Sequence, residues 1–309
     1  MKFPSNKWVV LIILALTWGS SFILIKQSIL VYTPFQVGAL RLTIAGLALV
    51  AFGIGSFKYI PKKLLFWVIL GGCLGNFIPM FLFPLAQQKV SSSMAGILDS
   101  LVPIFVLIFG FLLFGIKSRW TQVFGAIIGF IGAIVLVSDN GSGNSNDVFS
   151  SLLIVFATLL YGLNGLIISK YLKGIPSFKL SAAVFTILLG PSFLILGVSG
   201  FFSEFTGSNE QLKGLGFVAI LGLVGTATAM ILYYKLIQQT SAVFAASVTY
   251  LMPIVAVIWG VLDGENLTWS HLVGGILILV GVYLIQMPAR FESKPMDEND
   301  LTGFHELTP

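Results

Sequence analysis

Long stretches free of Asp, Glu, Lys and Arg recur along the chain. They cover residues 8–25, 64–88, 120–138, 148–169, 180–203, 214–234, 236–262 and 266–289. Two more, 34–57 and 90–116, are interrupted once each, by Arg41 and Asp99. A helix needs about 20 apolar residues to cross the hydrocarbon core of a bilayer, so the pattern predicts ten membrane-spanning helices. The stretch 236–262 exceeds one crossing, and its start is assigned to a connector. A transmembrane barrel would show alternating apolar and polar residues over about ten positions. These runs are apolar all round and twice as long. The first one follows a basic amino-terminal segment but is too long for a signal peptide and lacks a small-residue cleavage site, so it reads as a retained span. The predicted class is an all-α integral membrane protein.

Composition agrees. Of 309 residues, 57% are hydrophobic and 9% charged, against about 25% charged in soluble domains. A soluble enzyme, a nucleic-acid-binding domain and a disordered chain are excluded. The single cysteine, Cys73, excludes an intrachain disulfide and a cysteine-based metal site.

The charges sort by side. Alternate connectors and both tails hold Lys2, Lys7, Lys58, Lys62, Lys63, Lys117, Arg119, Lys170, Lys173, Lys179, Lys235, Arg290 and Lys294. The opposite set holds Lys26, Lys89 and Lys213 with Asp139, Asp147, Glu204, Glu210, Asp263 and Glu265. Basic residues mark the cytoplasmic side, which predicts a multi-pass protein of the cell inner (plasma) membrane with both termini cytoplasmic. The isoelectric point near 9.3 is therefore a signal of topology, and no nucleic-acid partner is expected. The acidic tail 291–309 and the Gly/Ser/Asn-rich connector 139–147 are expected to be disordered.

The chain repeats itself. Residues 91–110 align with 241–260, pairing Ser91 with Ser241, Ala95 with Ala245, Leu101 with Leu251, Pro103 with Pro253 and Gly110 with Gly260. After a one-residue slip, 120–137 aligns with 269–286, pairing Trp120 with Trp269, Gly125 with Gly274 and Gly132 with Gly281. Gly72 and Gly75 match Gly222 and Gly225, and Trp18 falls opposite Tyr161. The predicted units are 1–145, 146–290 and the tail 291–309. Five spans per unit is an odd number, so the second unit enters the membrane inverted. Two inverted five-helix repeats are the signature of alternating-access transporters, with a substrate site near the midplane between the halves.

Several of these segments resemble the drug/metabolite transporter superfamily, EamA type. They are Trp18-Gly19-Ser20-Ser21-Phe22, Arg41, Ser93-Met94-Ala95, Leu101-Val102-Pro103, Pro253 and Gly264-Glu265-Asn266-Leu267-Thr268. The resemblance spans about residues 8–287. Where the family has Gly-Glu after the first proline-containing span, this chain has Gly115-Ile116. The resemblance implies ten helices, a cavity walled by spans 1–4 and 6–9, spans 5 and 10 as braces, and movement of small metabolites without ATP.

Arg41 and Asp99 are the charges deep within spans. By helical rise they lie about 11 and 12 Å from the outer ends of spans 2 and 4. A charge at that depth needs a partner or a wet cavity, and marks substrate pathways and proton relays. Two readings stay open: a structural salt bridge, or Asp99 as the group that takes a proton or a substrate amine, with Arg41 as its alternating partner. Trp18, Ser21, Asn76, Tyr161, Asn164, Thr249 and Tyr250 are candidate cavity-lining residues or interhelical hydrogen-bond partners. Pro103 and Pro253, at equivalent places, are candidate hinges. Trp8, Trp67, Trp120 and Trp269 read as interface anchors. The glycines of spans 5 and 10 predict close helix packing, with a dimer contact as the alternative. His271 is expected to be exposed.

Two histidines and one intramembrane acid cannot build a metal or acid cluster, so neither an enzyme nor a cofactor is expected. A channel would want a selectivity loop or charged rings. With one deep base and one deep acid, the expected substrate is a small neutral or zwitterionic metabolite such as an amino acid. It would be moved by a secondary active transporter that is a monomer or weak homodimer, coupled to protons or not. An uncoupled facilitator or organic-anion exchanger, with Arg41 and Asp99 as a structural pair, is the alternative.

Overall fold

The computed structural model describes residues 6–116, 119–137 and 148–287. The connector 139–147, the tail 291–309 and the outermost amino-terminal residues lie outside them. Among the described residues there is no strand. Nine helices among the described residues are long and apolar enough to cross a membrane: α1 Lys7–Ile29, α2 Pro34–Tyr59, α3 Lys62–Ala86, α4 Ser92–Phe114, α5 Trp120–Val137, α6 Val148–Leu172, α7 Ser177–Val198, α8 Asn209–Gln239 and α9 Ala242–Leu262. A shorter apolar helix, α10 Trp269–Gln286, completes the set of ten.

Local chemistry sets the ends. Thr33 caps α2 in a reciprocal box with Gln36, and Pro34 supplies the first helical residue, whose missing N–H costs nothing there. Ser91 and Ser208 cap α4 and α8 through their side chains. Gly115 closes α4 at φ 68°, and Gly264 opens the turn before α10 at φ 82°; both values favour glycine. His271 is buried, contrary to expectation, because it forms the capping box of α10 with Thr268.

The packing has the two-fold relation that inverted repeats require. α2 packs on α7, α5 on α10 and α4 on α9, each pairing equivalent helices. α1 packs on α9 just as α6 packs on α4. Glycine permits the α5–α10 contact. A Cβ added at Gly132 would stand 2.7 Å from the Gly274 carbonyl oxygen, and one at Gly125 would strike the Gly281 carbonyl. These small faces thus serve packing within the chain. Trp8, Trp120 and Trp269 are exposed. Trp67 instead stacks on Tyr171 at 3.9 Å.

Four helices are irregular at mid-depth, and in matched positions. α3 and α8 carry π-helical turns, Cys73–Phe77 and Leu223–Thr228. α4 breaks between Ser92–Asp99 and Val102–Phe114, and α9 between Ala242–Ala246 and Val248–Leu262. Pro79 follows the first π turn, and Pro103 opens the second half of α4. Irregular backbone at membrane depth is tolerated where it is buried in protein or lines a cavity.

Candidate functional site

The irregular turns converge on a cavity of about 70 Å³. A water needs roughly 10–15 Å³ of such space, so the cavity admits a small solute or several waters. Trp18, Ser21, Arg41, Asp99, Tyr161, Asn164 and Thr249 all line it, with Gly75 and Gly225 from the two π turns. Phe22, Phe83, Met230, Tyr233 and Met252 add apolar wall. Every wall residue comes from α1–α4, α6, α8 or α9.

Arg41 does not pair with Asp99. Its Nε donates to Thr226 Oγ1 at 2.7 Å, and its Nη2 reaches the Gly225 carbonyl at 3.5 Å. Thr226 passes its own proton to the Leu221 carbonyl at 2.8 Å. Trp18 Nε1 donates to the same Gly225 carbonyl at 2.9 Å. Arg41 and Trp18 thereby tie α2 and α1 to the π turn of α8. Thr226 and Gly225, and not Asp99, hold the Arg41 side chain, which goes against the structural salt bridge, one of the two readings left open; ion pairs among the described residues include Lys26–Asp263 and Lys26–Glu265. Which way each side chain turns is not legible in the sequence. Arg41 is 8% exposed and Asp99 4%. Asp99 Oδ1 has no hydrogen-bond partner. Tyr161 lines the same cavity as Asp99 and Arg41.

Asn76 and Tyr250 lie off the cavity wall. Asn76 Nδ2 donates to Tyr234 Oη at 3.1 Å, and Tyr250 Oη donates to the Val282 carbonyl at 2.7 Å. Both are interhelical hydrogen-bond partners, the other role expected of such residues. Asn164 sits against α3 where Gly71 and Gly75 leave room; a Cβ at Gly75 would collide with its amide.

The prolines act through carbonyls. Pro253 has no N–H for the Thr249 carbonyl one turn back. Ser100 Oγ takes that carbonyl at 2.8 Å, linking the broken turn of α4 to α9. Ser100 and Tyr233 were not foreseen as site residues. Ser100 neighbours Asp99 in sequence, but its partner is 149 positions away. Tyr233 lies in the run Tyr233-Tyr234-Lys235, which reads as the end of a span, whereas α8 continues to Gln239.

Glu265 was also missed as an organising residue. It leaves the α9–α10 connector to cap α4, accepting from Ser92 N at 2.8 Å, Ser93 N at 3.0 Å and Ser93 Oγ at 2.6 Å. Lys26 of α1 donates to it at 2.9 Å. Burial opposes the charge of Glu265, but the hydrogen bonds from Lys26 and from the Ser93 and Ser92 groups outweigh burial and hold its carboxyl below the usual range.

The EamA-like transporter family profile matches residues 6–138 and again 148–287. The chain belongs to the EamA-like transporter family. It is similar to an uncharacterized transporter of Archaeoglobus fulgidus, 27% identical over 286 residues that cover 91% of this chain and 98% of that one. It is similar to the uncharacterized inner membrane transporter YedA of Escherichia coli K12, 29% identical over 92% of both chains. A probable terminal-alkyne amino-acid exporter of Streptantibioticus cattleyicolor is 24% identical over 92% of this chain and 94% of that one. A solved crystal structure with 19% identity covers 92% of this chain and 97% of its own at TM-score 0.62, a likeness of fold. The family and the apolar helices make this a multi-pass membrane transporter, and not an enzyme.

Proposed function

We propose that this EamA-type protein is a secondary active transporter for a small zwitterionic metabolite of the amino-acid class. It works by alternating access in the cell inner membrane with both termini in the cytoplasm. The observation that carries the reading is a cavity at the centre of the two inverted repeats holding one acid and one base that do not neutralise each other. A zwitterion brings an opposite charge to each. The aromatic and aliphatic wall suits a small side chain, and the Streptantibioticus relative, named as a probable amino-acid exporter, is consistent with that class. Asp99 is the group at which a coupling proton exchanges with the substrate amine.

The test is flux through the purified protein in proteoliposomes, across a panel of amino acids and nucleosides, with and without a pH gradient. Amino acids are expected to move and to respond to the gradient. Asp99→Asn is expected to lower flux at least tenfold and to flatten its pH dependence. If no panel solute moves under any gradient, the substrate class is wrong. If Asp99→Asn transports with an unchanged pH profile, the coupling role is wrong.

A further inference from the structure

Two acceptors on residues that line the cavity lack donors. Asp99 Oδ1 and Asn164 Oδ1 are both buried without a hydrogen-bond partner, on residues 4% and 1% exposed that both line the cavity. A buried acceptor left unpaired costs about 1–3 kcal/mol, and a charged one more. Such groups call for an occupant that carries donors.

The surroundings say which donors. Tyr161 of α6 and Tyr233 of α8 line the same cavity as Asp99. Trp18 meets Tyr233 edge to face at 5.0 Å. Tyr161 and Asn164 are three residues apart on α6 and so share a helix face. Aromatic faces beside a carboxylate attract a cation. Arg41 supplies none to Asp99, because Thr226 and Gly225 hold its guanidinium.

We propose that the cavity binds a primary ammonium group between Asp99 and Asn164, with Tyr161, Tyr233 and Trp18 around it. The proposal rests on the cavity being the transport site and narrows its substrates to primary amines. The ammonium donates one N–H to Asp99 Oδ1 and one to Asn164 Oδ1. A quaternary ammonium would satisfy the rings but leave both acceptors unpaired. A bare alkali-metal ion would want a shell of oxygens that this mostly apolar wall does not offer. The Arg41 side, already hydrogen-bonded, discriminates less, so the amine sets affinity more than the carboxylate does.

The experiment uses the full chain in lipid nanodiscs, with melting temperature read against n-butylammonium, tetramethylammonium, isocaproate and sodium chloride. A saturable rise is expected with n-butylammonium, at a half-saturation at least tenfold below that of tetramethylammonium. No saturable rise is expected with isocaproate or sodium chloride. Asp99→Asn and Asn164→Ala should each raise the n-butylammonium half-saturation tenfold or more. Equal response to tetramethylammonium, isocaproate or sodium overturns the proposal, as does an Asp99→Asn protein that binds n-butylammonium unchanged. If Asp99→Asn fails to fold, the ligand ranking in the unmodified protein decides alone. Flux is read separately. A protein that ranks the probes as expected but moves no solute keeps this site and loses the transport reading. One that moves amine-free solutes as fast as amines keeps transport and loses this site.

Discussion

The Ser100 hydroxyl does a job that the sequence pattern assigns to no residue. Proline at 253 strips the Thr249 carbonyl of its helical partner, and Ser100 Oγ replaces it at 2.8 Å from the other repeat. Ser100 itself is fully buried, so no water stands ready to take over. Interhelical hydrogen bonds in membranes average well under their vacuum worth. Leaving a carbonyl unpaired still puts Ser100→Ala at about 1 kcal/mol of destabilisation. Thermal melting in nanodiscs should show that loss in Ser100→Ala, and no loss when Pro253→Ala is combined with it, because alanine returns an N–H to the Thr249 carbonyl. Equal losses in the single and double variants would mean that the bond is not what Ser100 contributes.

The elements were largely legible, because hydrophobic runs report the length of the helices. Rotation about the helix axis was less so. Arg41 of α2 and Asp99 of α4 both reach the cavity wall, but at about 100° per residue a side chain's direction depends on how its helix is turned against its neighbours. That is why Arg41 reaches the π turn of α8 and not Asp99. The π turns themselves leave no mark on composition. Glu265 shows the same limit: its motif was visible, but its partners sit on α1 and α4, at Lys26, Ser92 and Ser93. Two backbone donors at a helix start also carry the positive end of the helix dipole. Glu265→Gln should cost about 1–3 kcal/mol, as expected for hydrogen bonds to a charged group. Its pH dependence follows from the carboxyl lying below its ordinary value of 4.5 when folded. The unfolded chain then takes up the proton first, so the stabilisation is complete above that value and disappears as pH falls through the lower, folded value. Melting of the unmodified protein and Glu265→Gln should differ at pH 7 and draw together as the pH falls below 4.5; a gap that does not shrink on acidification would remove the charge from the explanation.

At the scale of the whole molecule, the two ends are held by different forces although the repeats are equivalent. Gly260 accepts from Glu265 N at 2.8 Å, and the matching Gly110 accepts from Ile116 N at 2.9 Å, so the turn after α4 repeats the turn after α9. The side chain does not repeat. At the end remote from the termini, Glu265 and Asp263 bind Lys26 across the repeats, at 2.9 and 2.8 Å. At the end that holds the amino terminus, Ile116 carries no charge. Contacts there include aromatic ones, with Trp8 meeting Phe244 at 5.3 Å, Trp67 stacked on Tyr171 and Lys170 5.0 Å from the Phe114 ring, and a hydrogen bond from Gln122 Nε2 to the Ile285 carbonyl at 3.0 Å. Lys26 and Asp263 are 29% and 26% exposed, so solution ions reach this pair. The Debye length falls from about 10 Å at 0.1 M salt to about 3 Å at 1 M. Apolar contacts gain nothing from low salt. An alternating-access cycle must part the repeats at each end in turn, and salt should therefore ease one end and not the other. The measurement is labelling of Ser21→Cys, in a Cys73→Ala background, by a membrane-impermeant maleimide applied to either face of oriented vesicles. From the face opposite the termini, labelling should rise severalfold with 1 M sodium chloride and should be raised, and made indifferent to salt, by Lys26→Gln. From the other face neither change should increase it. Salt that raises labelling equally from both faces would show that the Lys26 cluster does not hold its end of the molecule shut.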